Sequence, residues 1–375
     1  MTTANVADAA SKRIGVVCIA PVIDSPASME FPVLYEAIGK NTGNFMFTQA
    51  MFRHLAGDVR QIGFGFDPDR VNAEFDCVVV PAANWLNARS DWDWFTPLID
   101  RLEIPVITIG IGVQADSPDP RMLEVNDSCR RLIHTLARKS PFISTRGHFT
   151  TGYLHSLGVM NAVTTGCPSL YMSFPKSDRA DGDGGVVIQS TRYAFSEAFA
   201  QSTGVNSALF KIATQINADI VFQSEPEEIE FLIYDNDAVS ICPERARGLA
   251  GAYGLPDTNA LLDYLRAHGH VFFNVDEWSQ YISRKSAVFG TRLHGSIIAL
   301  NSGVPAVLFS HDSRTAETIE FARIPTQVFK YEAGISEEQH REQINDAVQE
   351  YRELRDHNSI IYKNFLSACG LQFAN

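Results

Sequence analysis

Arg292 and His294, two residues apart in the stretch Ala287–Ser310 (AVFGTRLHGSIIALNSGVPAVLFS), are the side chains best placed to do chemistry. An apolar strand ends at Gly290, a short helix begins near Gly295 and stops before Gly303, and Val304-Pro305 leads into another strand. The pair therefore lies between the carboxyl end of a strand and the amino end of a helix. There, unpaired backbone N–H groups and the helix dipole favour an anion. Arg292 adds a donor fork matched to carboxylate or phosphate oxygens. His294 gives or takes a proton near neutral pH. An anionic, acid-labile substrate suits this pairing. On spacing alone, the two residues equally fit a surface arginine and a histidine that caps the helix.

Other motifs narrow the chemistry. Gly110-Ile111-Gly112 is half of a dinucleotide fingerprint; it lacks the third glycine and the acidic residue about 20 positions on, which excludes a nicotinamide cofactor. There is no Walker loop, no G-x-S-x-G elbow and no H-E-x-x-H. The six cysteines, Cys18, Cys77, Cys129, Cys167, Cys242 and Cys369, have neither C-x-x-C nor zinc spacing, and read as free thiols of a reducing compartment. His311 and Asp312 have no third ligand within motif distance, so they read as a turn and helix cap, and no metal is expected.

These residues need a scaffold, and the sequence specifies an α/β one. Short apolar runs alternate with helical patterns. Arg13–Ala20, Phe75–Pro81, Pro105–Gly110, Phe142–Thr145 and Ala162–Thr165 read as strands, and Asn44–Leu55, Asp93–Leu102, Pro120–Lys139 and Gly147–Leu157 as helices. The polar, Gly- and Asp-rich stretch Lys176–Gly185 marks a boundary. The alternation then restarts with strands at Gly185–Ser190, Asp219–Gln223, His270–Phe273, Ala287–Gly290 and Ala306–Ser310, and a helix at Ser207–Asn217. Two α/β halves (1–175 and 185–335) and a helical C-terminal segment (336–375, one or two helices) follow, with ligands beyond the carboxyl ends of the strands and between the halves.

Composition agrees. The chain has 375 residues, which fits two domains at roughly 100–200 residues each. With 45% hydrophobic and 20% charged residues, it is neither disordered, collagen-like nor a disulfide scaffold. The formal net charge of −13 argues against a sequence-independent grip on nucleic acid, though not against a local basic pocket for a small anion. Met1–Lys12 lacks a charged n-region followed by an apolar core, and no apolar run approaches the ~20 residues that span a bilayer. A cytoplasmic protein is expected.

The segment Gly290–Pro305 (GTRLHGSIIALNSGVP), followed by Ser310-His311-Asp312-Ser313-Arg314, resembles the signature of the polysaccharide pyruvyl transferases. Ser144-Thr145-Arg146-Gly147 resembles it too, continuing through Tyr153–Val159 to Gly166-Cys167-Pro168, and Asn41-Thr42-Gly43-Asn44 resembles the family's first loop. The resemblance implies transfer of a pyruvyl group from phosphoenolpyruvate to a polysaccharide or lipid-linked glycan, forming a pyruvate ketal without a further cofactor. It also implies a GT-B-like fold of two Rossmann-like domains facing a cleft. A lipid-linked acceptor would bring the protein into peripheral contact with the inner face of the membrane.

By the same resemblance, His294 is the catalytic acid or base, and Arg292, Leu293 and Gly295 meet the donor. Arg192, after the Gly185–Ser190 strand, matches a family arginine that opens the second domain. Arg146 and Arg314 complete the donor set, although a structural ion pair and a solvated loop residue account for them equally well. The acceptor falls to the first domain, to Asn41, Asn44, Asn84 and Trp85. Here Asn44 also fits a helix N-cap, and Trp85, with Trp92 and Trp94, fits either a sugar-stacking platform or core. The loop carrying Asn84 departs from the family, which has a glycine-rich turn there. Two other readings fit the fold: a nucleotide-sugar glycosyltransferase, and a non-catalytic sugar-phosphate binding protein.

Overall fold

In the central strands of the first half every residue is apolar or nearly so, because both faces of the sheet are covered. Val79, Ile107 and Ile109 face one apolar core, and Val78, Val80, Val106 and Ile111 the other. The computed structural model of the chain describes residues 11–115, 125–175, 184–191, 204–234, 243–310, 312–326 and 337–374. It places β1 (Arg13–Val16), β2 (Asp58–Gln61), β3 (Cys77–Pro81), β4 (Val106–Ile111), β5 (Ile143–Thr145) and β6 (Ala162–Thr164) in one parallel sheet of order β2-β1-β3-β4-β5-β6. A second parallel sheet has the order β11-β10-β7-β8-β9. Its strands are β7 (Val186–Gln189), β8 (Asp219–Val221), β9 (Gly269–His270), β10 (Ala287–Gly290) and β11 (Ala306–Leu308). Relative to its first strand, that order is 3-2-1-4-5, the Rossmann arrangement, with its switch point between β7 and β10. The two Rossmann-like, GT-B-like lobes expected from the sequence are present.

β2 falls outside the predicted strands. Its sequence, DVRQ, is mostly exposed, and it pairs only with β1, so main-chain bonding at a sheet edge holds it rather than a buried face. The predicted helix at Asp93–Leu102 shortens to Thr96–Asp100, because Asp91 and Asp93 are spent in a turn. Of the predicted Pro120–Lys139 helix, Asp127–Lys139 forms, opened by an Asn126 cap; residues 120–124 lie outside the described residues.

The lobes are bound directly. Thr42 N donates to Gln223 O at 2.8 Å, Ala115 N to Ser313 Oγ at 2.9 Å and Asn301 Nδ2 to Ser169 O at 3.0 Å. One apolar core runs continuously from β1 and β3 through to β7 and β10. The C-terminal segment is a single helix, Glu337–Ala368, and the chain then returns to the first lobe, where Phe373 bridges Leu55. Among the described residues, no helix is long and apolar enough to cross a membrane, no group of His, Cys, Asp and Glu could hold a metal ion, and Cys18, Cys77, Cys129, Cys167 and Cys369 are free and buried.

Candidate functional site

The helix after β10 runs Leu293–Asn301, so Arg292 is its N-cap and His294 its second residue. Arg292 does not cap with its side chain; the guanidinium turns back across its own lobe. Its Nε donates to Ser190 O at 3.2 Å, and Nη2 bonds Ser224 Oγ and Glu225 Oε1. Glu225 is fully buried, and its other oxygen accepts from Gln223 N and Ser224 N at 3.2 and 3.0 Å. The fork expected to face an anion is therefore engaged by the protein's own carboxylate, 67 residues away in the chain. Leu293 is buried in the core.

His294 occupies the lobe junction. Its Nε2 lies 3.9 Å from Cys167 Sγ of the first lobe, and its ring is 5.7 Å from that of Phe47. The Nδ1 edge faces the Asn41–Asn44 loop: a methyl added at Gly43 would come within 3.1 Å of it. Burial, reinforced by the charges of Arg146 and Arg314, holds the imidazole pKa well below its ordinary value. His294 is thus neutral at neutral pH.

Arg146 and Arg314 approach that imidazole from opposite lobes. Arg146 follows β5 and is only 1% exposed. Gly110 sits at φ +68 in a register break between β4 and β5, a left-handed conformation suited to glycine, and its carbonyl accepts from Arg146 Nε at 3.0 Å. The glycines noted at 110 and 112 thereby find their use, since a methyl on Gly112 would press on Arg146 Cδ at 3.0 Å. Arg146 Nη1 is buried with no partner among the described residues. Arg314 pairs with Asp312 at 3.3 Å, while its Nε is likewise buried and unmatched. Asp312 caps the Ser313–Ala322 helix in a capping box with Thr315, as its position predicts. Two guanidiniums, each with a buried donor unmatched among the described residues, thus act on a neutral imidazole, a grouping suited to an anion.

Gly295 holds the site's shape. Gln189, at the end of β7, donates to Gly295 O at 3.3 Å and accepts from Gln223 Nε2 at 2.9 Å. A Cβ at position 295 would lie 1.7 Å from Gln189 Oε1. Gly295→Ala is expected to lose at least about 1–3 kcal/mol of stability by overpacking, read by urea denaturation. An unchanged midpoint would show that Gln189 moves aside freely.

The acceptor-side residues divide. Asn41 Oδ1 accepts from Gly43 N at 2.8 Å within the loop facing His294. Asn44 is not the N-cap, which is Gly43; its amide instead bonds Ile38 O and Gly39 O at 3.1 and 3.2 Å, closing the preceding turn. Asn84 bonds Gln114 through its side chain. Trp85 is core rather than platform: it is 8% exposed and stacked on Trp92 at 4.4 Å, with Phe95 against its edge. Trp94, 54% exposed, is the open indole of this loop. Arg192 and His311 lie outside the described residues. Roles for Cys167, Gln189, Gln223, Glu225 and Glu317 carry no signal in local spacing, because each depends on a partner far along the chain.

No curated protein matches the sequence significantly. Solved structures of similar overall shape include the S. aureus MnaA–UDP co-structure (10% identity, 92% of this chain and 90% of that one, TM-score 0.44). They also include UDP-N-acetylglucosamine 2-epimerase from Rickettsia bellii (12%, 96% of each chain, 0.43). A third is Anabaena HepE in complex with UDP (9%, 96% and 97%, 0.40). The fold assignment rests on the sheet topology. The family model for polysaccharide pyruvyl transferase spans residues 38–313, covering β2 to β11, the Arg146 turn and the Arg292–His294 junction, and the chain belongs to that family.

Proposed function

We propose that the protein transfers the pyruvyl group of phosphoenolpyruvate to two hydroxyls of a glycan, free or lipid-linked, to form a ketal. The observation that carries this reading is the pair of donors Arg146 Nη1 and Arg314 Nε, both buried and unmatched among the described residues, on two guanidiniums whose charges act on the neutral His294. Phosphoenolpyruvate carries two anionic groups, and two guanidiniums answer them. Protonation at the donor's methylene carbon makes an oxocarbenium-like centre at C2, which a sugar hydroxyl attacks. The C2–O bond to phosphate then breaks, and a second hydroxyl closes the ketal. Of the two hydroxyl protons, one replaces the proton spent on the new methyl group and the other leaves with phosphate, so the reaction balances without a redox cofactor. A bound dianion offsets the two cations that depress the imidazole, which makes His294 a competent base for the first hydroxyl proton of an acceptor on the Asn41–Asn44 side.

Calorimetric titration of phosphoenolpyruvate tests this. Wild type is expected to bind and Arg314→Ala to bind at least about tenfold more weakly, the cost of one charge-assisted contact. Absence of phosphoenolpyruvate binding alongside clear binding of a nucleotide sugar would overturn the reading in favour of a glycosyltransferase.

A further inference from the structure

Glu317 lies on the Ser313–Ala322 helix of the second lobe, yet its carboxylate is spent on the first. Oε2 accepts from Thr150 N at 2.9 Å and Oε1 from Thr150 Oγ at 2.8 Å. The residue is 3% exposed and packs on Gly147, where a Cβ would meet Glu317 Oε2 at 2.8 Å. It therefore clamps the turn that carries Arg146 from across the lobe junction. Thr150 Oγ also accepts from Val113 N at 3.1 Å, fixing the strand end that follows Gly112.

We propose that Glu317 is a positioning residue for Arg146 and takes up a proton when an anion binds at Arg146 and Arg314. The inference rests on reading that pair as an anion site. Charged and titratable groups surround Glu317 from several packed elements. Arg146 comes from the first-lobe turn and Asp312 from the cap of its own helix, while Arg314, two residues after that cap, acts on Arg146 in turn. His148, on the Thr150 helix, turns to Phe321 and Thr164. Glu350, from the C-terminal helix, reaches Arg323 at the far end. Burial is the main influence on Glu317 and pushes its carboxyl up to about 7; Thr150's two bonds and Arg146 pull against it, and Asp312 adds to it. An incoming dianion offsets the Arg146 charge and adds negative charge nearby, both of which favour the neutral acid. The clamp survives protonation, because a threonine hydroxyl can accept a hydrogen bond as readily as donate one.

A carboxyl raised from 4.5 to about 7 by folding contributes stability that is present below 4.5 and lost as pH rises through 7. Glu317→Gln keeps the shape and removes that dependence.

Sulfate, which does not titrate near neutrality, is the probe. In calorimetry at pH 7 in buffers of differing ionisation heat, wild type should take up on the order of half a proton per sulfate bound. Glu317→Gln should bind sulfate at least as well, with uptake reduced by half or more. In wild type, the Glu317 carboxyl carbon followed by NMR should titrate at higher pH when sulfate is present. Equal uptake in Glu317→Gln, or a carboxyl midpoint that sulfate does not move, would overturn the proposal. If sulfate binds with proton uptake but phosphoenolpyruvate does not bind, the donor assignment fails while this inference stands.

Discussion

His294→Asn is expected to slow turnover by about 10²–10⁴-fold, the usual worth of a positioned acid or base, while leaving anion binding within a few-fold of wild type. Asparagine preserves a polar side chain in the space between Cys167, Phe47 and Gly43 but cannot relay a proton. The contacts that hold the two guanidiniums, Arg146 Nε to Gly110 O and Arg314 Nη2 with Asp312, do not involve the imidazole. The two guanidiniums should therefore keep their places. Phosphate release from phosphoenolpyruvate, in the presence of a panel of sugar acceptors, measures the effect. The imidazole adds a second readout: in the ligand-free protein, NMR should show His294 neutral down through the ordinary histidine range, because burial and two cations hold its pKa low. A variant within tenfold of wild type would remove His294 from proton transfer.

Arg292→Ala should cost about 3–5 kcal/mol of stability, the penalty for removing one partner of a buried ion pair. Glu225 is completely buried and the Arg292 side chain 13% exposed, so little solvent screening discounts the pair. The guanidinium also ties Ser190, after β7, to Ser224, after β8, across the sheet's carboxyl edge. Arg292→Lys should fall between, because a single ammonium cannot reproduce contacts to Ser190, Ser224 and Glu225 together. Urea denaturation of the two variants decides. A loss below about 1 kcal/mol, the range of exposed pairs, would mean that the guanidinium is free to leave Glu225 for a ligand.

The two predictions separate roles that the linear motif Thr291-Arg292-Leu293-His294 presents as one. A family pattern records that these residues occur together, without saying which faces a ligand. The structure gives His294 to the junction and Arg292 to a carboxylate in the same lobe.

Much of the fold was legible from residue order. β3 and β4 are apolar on both faces, which only a covered parallel sheet requires, and the restart of the alternation after residue 185 announced a second sheet. The strand–loop–helix–strand unit around Arg292 was legible too, though its helix begins two residues earlier than Gly295 suggests, at Leu293. β2 was not legible, because an edge strand with polar residues on both faces has no periodicity to read. In the sequence Trp85 fits either use, and only the stacking of Trp92 against it assigns it to the core.

Residue order alone is enough for the α/β class, for every strand of the two lobes except β2, and for the identity of the residues at strand ends, because short-range burial patterns encode these directly. Which cations are satisfied is settled by contacts in space. Arg292, Arg146 and Arg314 look alike in one dimension. Their difference lies in partners brought from 67 residues away in one case, a single carbonyl in another, and a neighbouring cap in the third. A charge's availability depends on what surrounds it in space, and for these three arginines chain order leaves that open.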